Sequence, residues 1–282
     1  MSRLRLADLR RVHHVIDECR ERGDDAAIWL SHLAGRIIDL CDADTIGAGQ
    51  IAGIRAGRIA SIGLVDAGFE RGFERGGWLN GLGQWIVDPY YSSVMNEAYR
   101  QVVAGPDTAI STAHTVLGSD PWHESMLYQD VNRPMGCDAQ LFCMFRIDTG
   151  PDDTQTLVLN RRQGEGDFSE REQELMRYLG TELAPLIGGA LAGFREIRPS
   201  ELPPRQRQVL ACLLEGDSDK QIALRLTLSP YTVNQYIKSI YRYFGVGTRA
   251  ELLARWIRRG WGNRFAWQTG KVPQVEFIDK SA

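Results

Sequence analysis

The stretch SPYTVNQYIKSIYRYFGV, residues 229 to 246, places two carboxamides and a lysine, Asn234, Gln235 and Lys238, close together, with Arg242 one turn further on. Beside them Val233, Ile237, Ile240 and Phe244 recur at i, i+4, i+7 and i+11, the spacing of one apolar stripe on a helix. The polar groups then share a second stripe of the same helix. A carboxamide pairs bidentately with adenine, and a lysine donates to guanine in the major groove. A solvated face opposite a small core has the same pattern, so the flanking residues must decide.

The flanks punctuate four short helices. Pro203 and Pro204 open the first, Val209, Leu210 and Leu213 give it an inward face, and Gly216 suits the left-handed position that ends it. Ser218 with Gln221 forms a capping box for the second, whose inward residues are Ile222, Ala223 and Leu226. Ser229 caps the third with Pro230 in its first turn, and Gly245 ends it. Thr248 with Glu251 caps the fourth. Only Thr227 and Leu228 join the second helix to the third, and Ala223 allows a close crossing, so the pair reads as a helix-turn-helix. Its second helix then faces outward, with Asn234, Gln235 and Lys238 toward base edges. Ser229, Thr232 and the N–H groups of the helix start suit phosphate oxygens.

The segments LPPRQRQVL, GDSDKQIA, LSPYTVNQY and FGVGTRAEL, in this order, resemble the four motifs of a LuxR-type (FixJ/NarL-like) DNA-binding domain over about 60 residues. The resemblance implies base reading by Asn234, Gln235 and Lys238, and backbone contacts from Lys220, Ser229, Thr232 and Arg242. It also implies pairing of two domains through the fourth helix, where Ala250, Leu253, Ala254 and Ile257 share one side. Asn234 stands at the customary lysine, Tyr236 at the customary histidine and Pro203 at the customary capping threonine, so a relative's target sequence does not carry over.

Charge patterning agrees. Residues 1–197 hold 19 Arg, no Lys and 29 Asp plus Glu, a balance of −10, whereas residues 198–260 hold 11 Lys plus Arg against 5 acids, a balance of +6. A basic segment attached to an acidic remainder is the footprint of a nucleic-acid-binding module. The proline-containing stretch REIRPSELPP reads as the linker, giving domains at 1–197 and 198–260 and a tail at 261–282.

Ahead of the linker, helical spacing at Ile28, Trp29, Leu33, Ile37 and Leu40 precedes strands over 45–54 and 58–65, a helix over 78–99, and strands over 139–147 and 155–160. A long helix then begins at the capping box of Ser169 and Glu172, with Phe168 as a staple, and continues to Phe194 with a kink at Pro185. The expected class is α+β, an antiparallel sheet with flanking helices followed by an all-α module. Residues 25–195, through DLCDADTIGAG and LVLNRRQGEGDFSEREQELMRYL, resemble a GAF domain, a fold that often binds small molecules or joins two chains. The aromatic-rich segment from Trp78 to Cys137 is the expected pocket, with Trp78, Trp85, Tyr90 and Trp122 as walls and Asp88 and Asp138 as polar anchors.

The absence of lysine before Lys220 argues against a phosphoacceptor receiver, and WLNGLGQWIVDPYY is faintly similar to lactone receptors. Histidines 13, 14, 32, 114 and 123 lack H-x-x-x-H or H-E-x-x-H spacing, so neither a metal site, a cofactor nor a catalytic set is expected. The five cysteines form no C-x-x-C pair and are expected to be reduced and buried. The whole reads as a non-enzymatic, dimeric transcription regulator of the bacterial cytoplasm. Its expected partners are double-stranded DNA, a second copy, RNA polymerase and a small-molecule effector, and no membrane. The alternatives are a ligand-free N-terminal dimerisation module and an enzyme with an appended helix-turn-helix.

Overall fold

The computed structural model describes residues 4–53, 59–73, 75–76, 108–150, 152–195 and 199–259. Two helices come first, α1 (Leu6–Arg20) and α2 (Ala26–Cys41). The side chain of Asp25 starts α2 by accepting the N–H groups of Ala27 and Ile28. Strands β1 (Thr45–Ala52), β2 (Ala60–Ala67) and β3 (Thr108–Thr112) follow, then the short helices α3 (Ala113–Leu117) and α4 (Ser119–Glu124), strands β4 (Cys137–Arg146) and β5 (Asp153–Arg162), and helix α5 (Glu170–Leu183). The five strands pair antiparallel in the order β2-β1-β5-β4-β3. With the helices that follow Pro203, the chain is α+β.

Both faces of the sheet are covered, which explains why β4 reads as a nearly unbroken apolar run. Leu141, Cys143 and Phe145 join Ile46, Ala48, Leu157 and Leu159 in a core against α1, α2 and α5. Phe142 and Met144 point the other way and pack with Ile51, Trp122, Tyr128 and Val131. Gly180 lets α5 approach β4, since a Cβ there would lie 2.0 Å from the Phe145 ring. All five cysteines are free and buried. Burial pushes the Cys19, Cys41 and Cys137 thiols up to about 12, so they stay protonated at neutral pH.

The capping box of Ser169 and Glu172 starts α5 as the sequence indicates. Phe168 takes no apolar partner at the fourth helical position, which is Gln173; its ring lies 4.2 Å under the guanidinium of Arg161. The helix does not reach Phe194. It ends at Leu183, a 3₁₀ turn spans Ala184–Leu186, and the chain reverses through Gly188 at φ +87. Pro185 has no N–H to continue the ladder, and tertiary hydrogen bonds hold the reversed chain instead of a kinked helix. Trp29 Nε1 donates to Ala192 O at 2.9 Å, Ala192 N to Gly23 O at 2.7 Å, and Phe194 N to Gln50 Oε1 at 3.0 Å. The expected helix over 78–99 lies outside the described residues.

Candidate nucleic-acid interface

Four helices follow Pro203: α6 (Pro204–Glu215), α7 (Asp219–Leu226), α8 (Pro230–Phe244) and α9 (Arg249–Arg259). Their boundaries are set by interactions within three or four residues. Gly216 and Gly245 close α6 and α8 in the left-handed region, at φ +100 and +61. Ser218 and Gln221 form the capping box of α7. Ser229 Oγ accepts the Thr232 N–H at 3.0 Å, and Thr248 Oγ1 accepts the Glu251 N–H at 3.1 Å. Thr227 ends α7 at φ +55, without a glycine, and completes the tight turn into α8.

The helices enclose their own core of Val209, Leu210, Leu213, Ile222, Ala223, Val233, Ile237, Ile240, Phe244, Leu252 and Trp256. Ala192 belongs to it and Ile28 of α2 packs against it, while Ser200 Oγ hydrogen-bonds to Asp25 at the start of α2. The core of these four helices is thus continuous with the start of α2.

One side of α8 is spent on this core, and the other faces solvent. Val233, Ile237, Ile240 and Phe244 are buried, whereas Asn234, Gln235, Lys238 and Arg242 are exposed. Tyr231, 74% exposed, continues that outward stripe one turn toward the helix start. Tyr231 is not among the base-reading residues that the resemblance implies, although the same helical spacing counted back from Asn234 and Lys238 reaches it. Ser229 and Thr232 share a hydroxyl hydrogen bond of 2.8 Å, which uses one of their two protons and leaves the other to donate. Lys220 is exposed on α7.

Not all of the basic charge faces outward in this way. Arg225 pairs with Glu215 and with Asp217 at 2.9 Å. Arg249 donates to the carbonyls of Asp217 and Leu213 at 2.6 and 2.5 Å, and Arg255 donates to Phe244 O at 3.0 Å, closing the C-terminal ends of α6 and α8. These three arginines hold helices together. On α9, Leu252 and Trp256 point inward, Leu253 is half-buried, and Ala250, Ala254 and Ile257 are exposed, Ile257 at 76%.

Of the residues expected to form an N-terminal pocket, Trp122 and Asp138 are described, and they touch each other. Trp78, Trp85, Asp88 and Tyr90 lie outside the described residues. Trp122 is fully buried on the second face of the sheet, its indole N–H donating to Asp138 O at 2.8 Å. The Asp138 carboxylate meets His123 Nε2 at 2.7 Å. The polar groups buried on that face are others: Gln140 and Asn132 converge on Asn160 Oδ1 at 2.9 and 3.3 Å, and Asn160 donates to Thr45 Oγ1 at 3.2 Å. A groove of about 550 Å³ beside the β4–β5 turn and the end of α5 is lined by Thr108, Arg146, Asp148 and Thr181, and by none of the expected pocket residues. No helix among the described residues is long and apolar enough to cross a membrane.

Residues 200–255 match the family model described as bacterial regulatory proteins, luxR family. The chain is 36% identical over 56 residues to the probable HTH-type transcriptional regulator GfsR of Streptomyces halstedii, covering 20% of this chain and 23% of that protein. It is 39% identical over 59 residues to the putative HTH-type transcriptional regulator Rv0890c of Mycobacterium tuberculosis, covering 21% and 7%. The chain therefore spans less than a quarter of the length of these curated relatives. Among solved structures, SdiA in complex with octanoyl-rac-glycerol aligns with 92% of this chain and 97% of its own, at a TM-score of 0.43 and 13% identity. The VqsR ligand-binding domain of Pseudomonas aeruginosa aligns with 61% and 91%, at a TM-score of 0.43 and 12% identity.

Proposed function

We propose that this chain, whose residues 200–255 are a LuxR-family helix-turn-helix domain, is a sequence-specific DNA-binding transcription regulator that works as a homodimer. The carrying observation is the division of α8 into a buried apolar stripe and an exposed stripe of Tyr231, Asn234, Gln235, Lys238 and Arg242. Asn234, Gln235 and Lys238 read base edges, Tyr231 adds an apolar surface beside them, and Lys220, Ser229, Thr232 and Arg242 hold phosphates. Ala250, Leu253 and Ile257 pair two such domains on a two-fold site. The domains divide at residues 197 and 198, with a tail from 261.

Anisotropy titrations at several salt concentrations, on a site selected from random DNA by the wild-type chain, test this reading. Asn234→Ala or Lys238→Ala should lose about 1–3 kcal/mol of preference for that site, while Lys220→Ala weakens all sequences alike and lowers the salt slope by about one. Ile257→Glu should weaken a palindromic site by roughly tenfold and leave a half-site unchanged. Specific and non-specific affinities both untouched in Lys238→Ala would remove α8 from the interface.

The N-terminal layer, GAF-like by its sequence, has the character of a small-molecule sensor more than of a plain dimerisation block. Gln140 Oε1 favours this reading: it is buried and accepts no hydrogen bond, while the amide nitrogen of the same side chain donates to Asn160 Oδ1, on the face that also carries Trp122 and Phe142. A buried acceptor is costly until a donor reaches it. A metabolite screen by thermal shift on the full chain should find a ligand that, at 100 times its Kd, adds about 2.7 kcal/mol of stability. Gln140→Leu should erase that gain. A ligand that stabilises both forms equally would place its site elsewhere, and a screen without a hit would favour the dimerisation block.

A further inference from the structure

Away from α8 and from the buried amides, two histidines and a carboxylate meet at the edge of the second core. His114 lies on α3, His123 on α4 and Asp138 at the start of β4. One nitrogen of each ring and one oxygen of Asp138 lie within 4.8 Å of one another. The register of β4 against β5 shifts between Cys137 and Ala139, so Asp138 is the extra residue of a bulge. The α3–α4 cover that carries both histidines packs on the same face of the sheet as Phe142 and Met144, the face that alternation along β4 also gives residue 138.

The cluster is supported on several sides. The indole of Trp122 holds the Asp138 carbonyl at 2.8 Å, and the His123 ring stands edge-on to Tyr128 with centroids 4.7 Å apart. Asp167 Oδ2 lies 3.6 Å from His114 Nδ1 and accepts the Thr112 hydroxyl at 2.8 Å. His114 Nδ1 is buried and makes no hydrogen bond. The side chains of His114, His123 and Asp138 are 23, 38 and 32% exposed, which leaves the group within reach of solvent. A second pair of histidines, His14 and His32, also faces one carboxylate, Glu18, but Arg36 stands 3.1 Å from it and already supplies the positive charge. Asp138 meets His123 through its carboxylate and Trp122 through its carbonyl, and no arginine among the described residues pairs with it.

We propose that His114, His123 and Asp138 form a binding site for a divalent first-row transition cation of the zinc type, which clips the α3–α4 cover to the bulge of β4. Two imidazoles and one carboxylate are borderline nitrogen and oxygen donors, suited to zinc, cobalt or nickel and not to calcium or magnesium, which take oxygen ligands. Binding exchanges the hydrogen bond between His123 and Asp138 for a metal bond to each. Their ligand atoms, now 2.7 Å apart, then open to the roughly 3.3 Å that two bonds of about 2.0–2.1 Å at a tetrahedral angle require. Water completes the coordination on the solvent side. The missing H-x-x-x-H spacing does not bear on this site, because its ligands arrive from three separate elements.

The test uses the full chain stripped with EDTA, exposed to excess Zn²⁺ and desalted. Elemental analysis should find about one zinc per chain, and competition with a chromophoric chelator should show His114→Ala or His123→Gln weakened by on the order of a hundredfold. Loading with Co²⁺ should give visible d–d absorption in the wild type and none in His123→Gln. Glutamine at 123 keeps a hydrogen-bond donor for Asp138, so its unfolding midpoint in EDTA should match the wild type and separate loss of the metal from loss of the fold. Zinc retention no greater in the wild type than in a chain carrying both His114→Ala and His123→Gln, or undiminished in His123→Gln, would overturn the site.

Discussion

Phe244→Ala is expected to destabilise the four C-terminal helices by about 3–5 kcal/mol and to abolish DNA binding, although Phe244 lies on the side of α8 turned away from the proposed interface. The ring is fully buried, edge-on to Trp256 of α9 at 6.2 Å and to Tyr243 at 5.2 Å. Its removal leaves a void where α8 and α9 meet, and the Phe244 carbonyl that Arg255 holds loses its fixed position. A module of this size has only a few kcal/mol of stability to lose. Amide hydrogen exchange should show protection lost across α6, α7, α8 and α9 while β4 and β5 keep theirs, with specific DNA affinity gone in the same sample. Retained protection in all four helices with a loss under about 1 kcal/mol would mean that the packing around Phe244 is not what holds the module together.

The second large effect is expected at Arg161. Its guanidinium donates to Asp42 O at 2.9 Å, Cys41 O at 2.5 Å and Asp167 O at 3.2 Å, pairs with Glu172, and stacks on Phe168. One side chain thereby ties β5 to the end of α2 and to the capping box that starts α5. Arg161→Met keeps much of the volume but strands two helix-end carbonyls and the Glu172 carboxylate, at a cost of about 3 kcal/mol. Arg161→Lys should recover little, since an ammonium cannot serve these acceptors with a planar fork. Adding Glu172→Gln to Arg161→Met should return part of the loss. Strict additivity of the two changes in urea unfolding would show that the pair is not coupled.

Much of the C-terminal module is legible without coordinates. Ser218 with Gln221, Ser229 before Pro230, and Gly216 and Gly245 act within one helical turn, so their partners are neighbours in sequence as well as in space. The period of α8 likewise separates Val233, Ile237, Ile240 and Phe244 from Asn234, Gln235 and Lys238 before any fold is known. The same local logic locates the start of α5 at Ser169. It fails at the end of that helix, because the apolar period continues through Leu186 and Leu191 while the chain has already turned back to meet Trp29 and Gln50, 163 and 144 residues away in sequence.

The sequence by itself determined where the C-terminal helices begin and end, which face of α8 is apolar, and the α+β character of the remainder, since each depends on spacings of a few residues. Only the tertiary structure decided what the polar groups of the N-terminal layer do. Alternation along β4 puts Asp138 and Gln140 on one side of the sheet, but their partners come from elsewhere in the chain: Asp138 meets His123 of α4, while Gln140 donates to Asn160 of β5 and keeps a buried acceptor. Which helix covers a strand, and which side chains that helix brings to it, depends on contacts far apart in sequence, so no inspection of β4 alone assigns a partner to either residue.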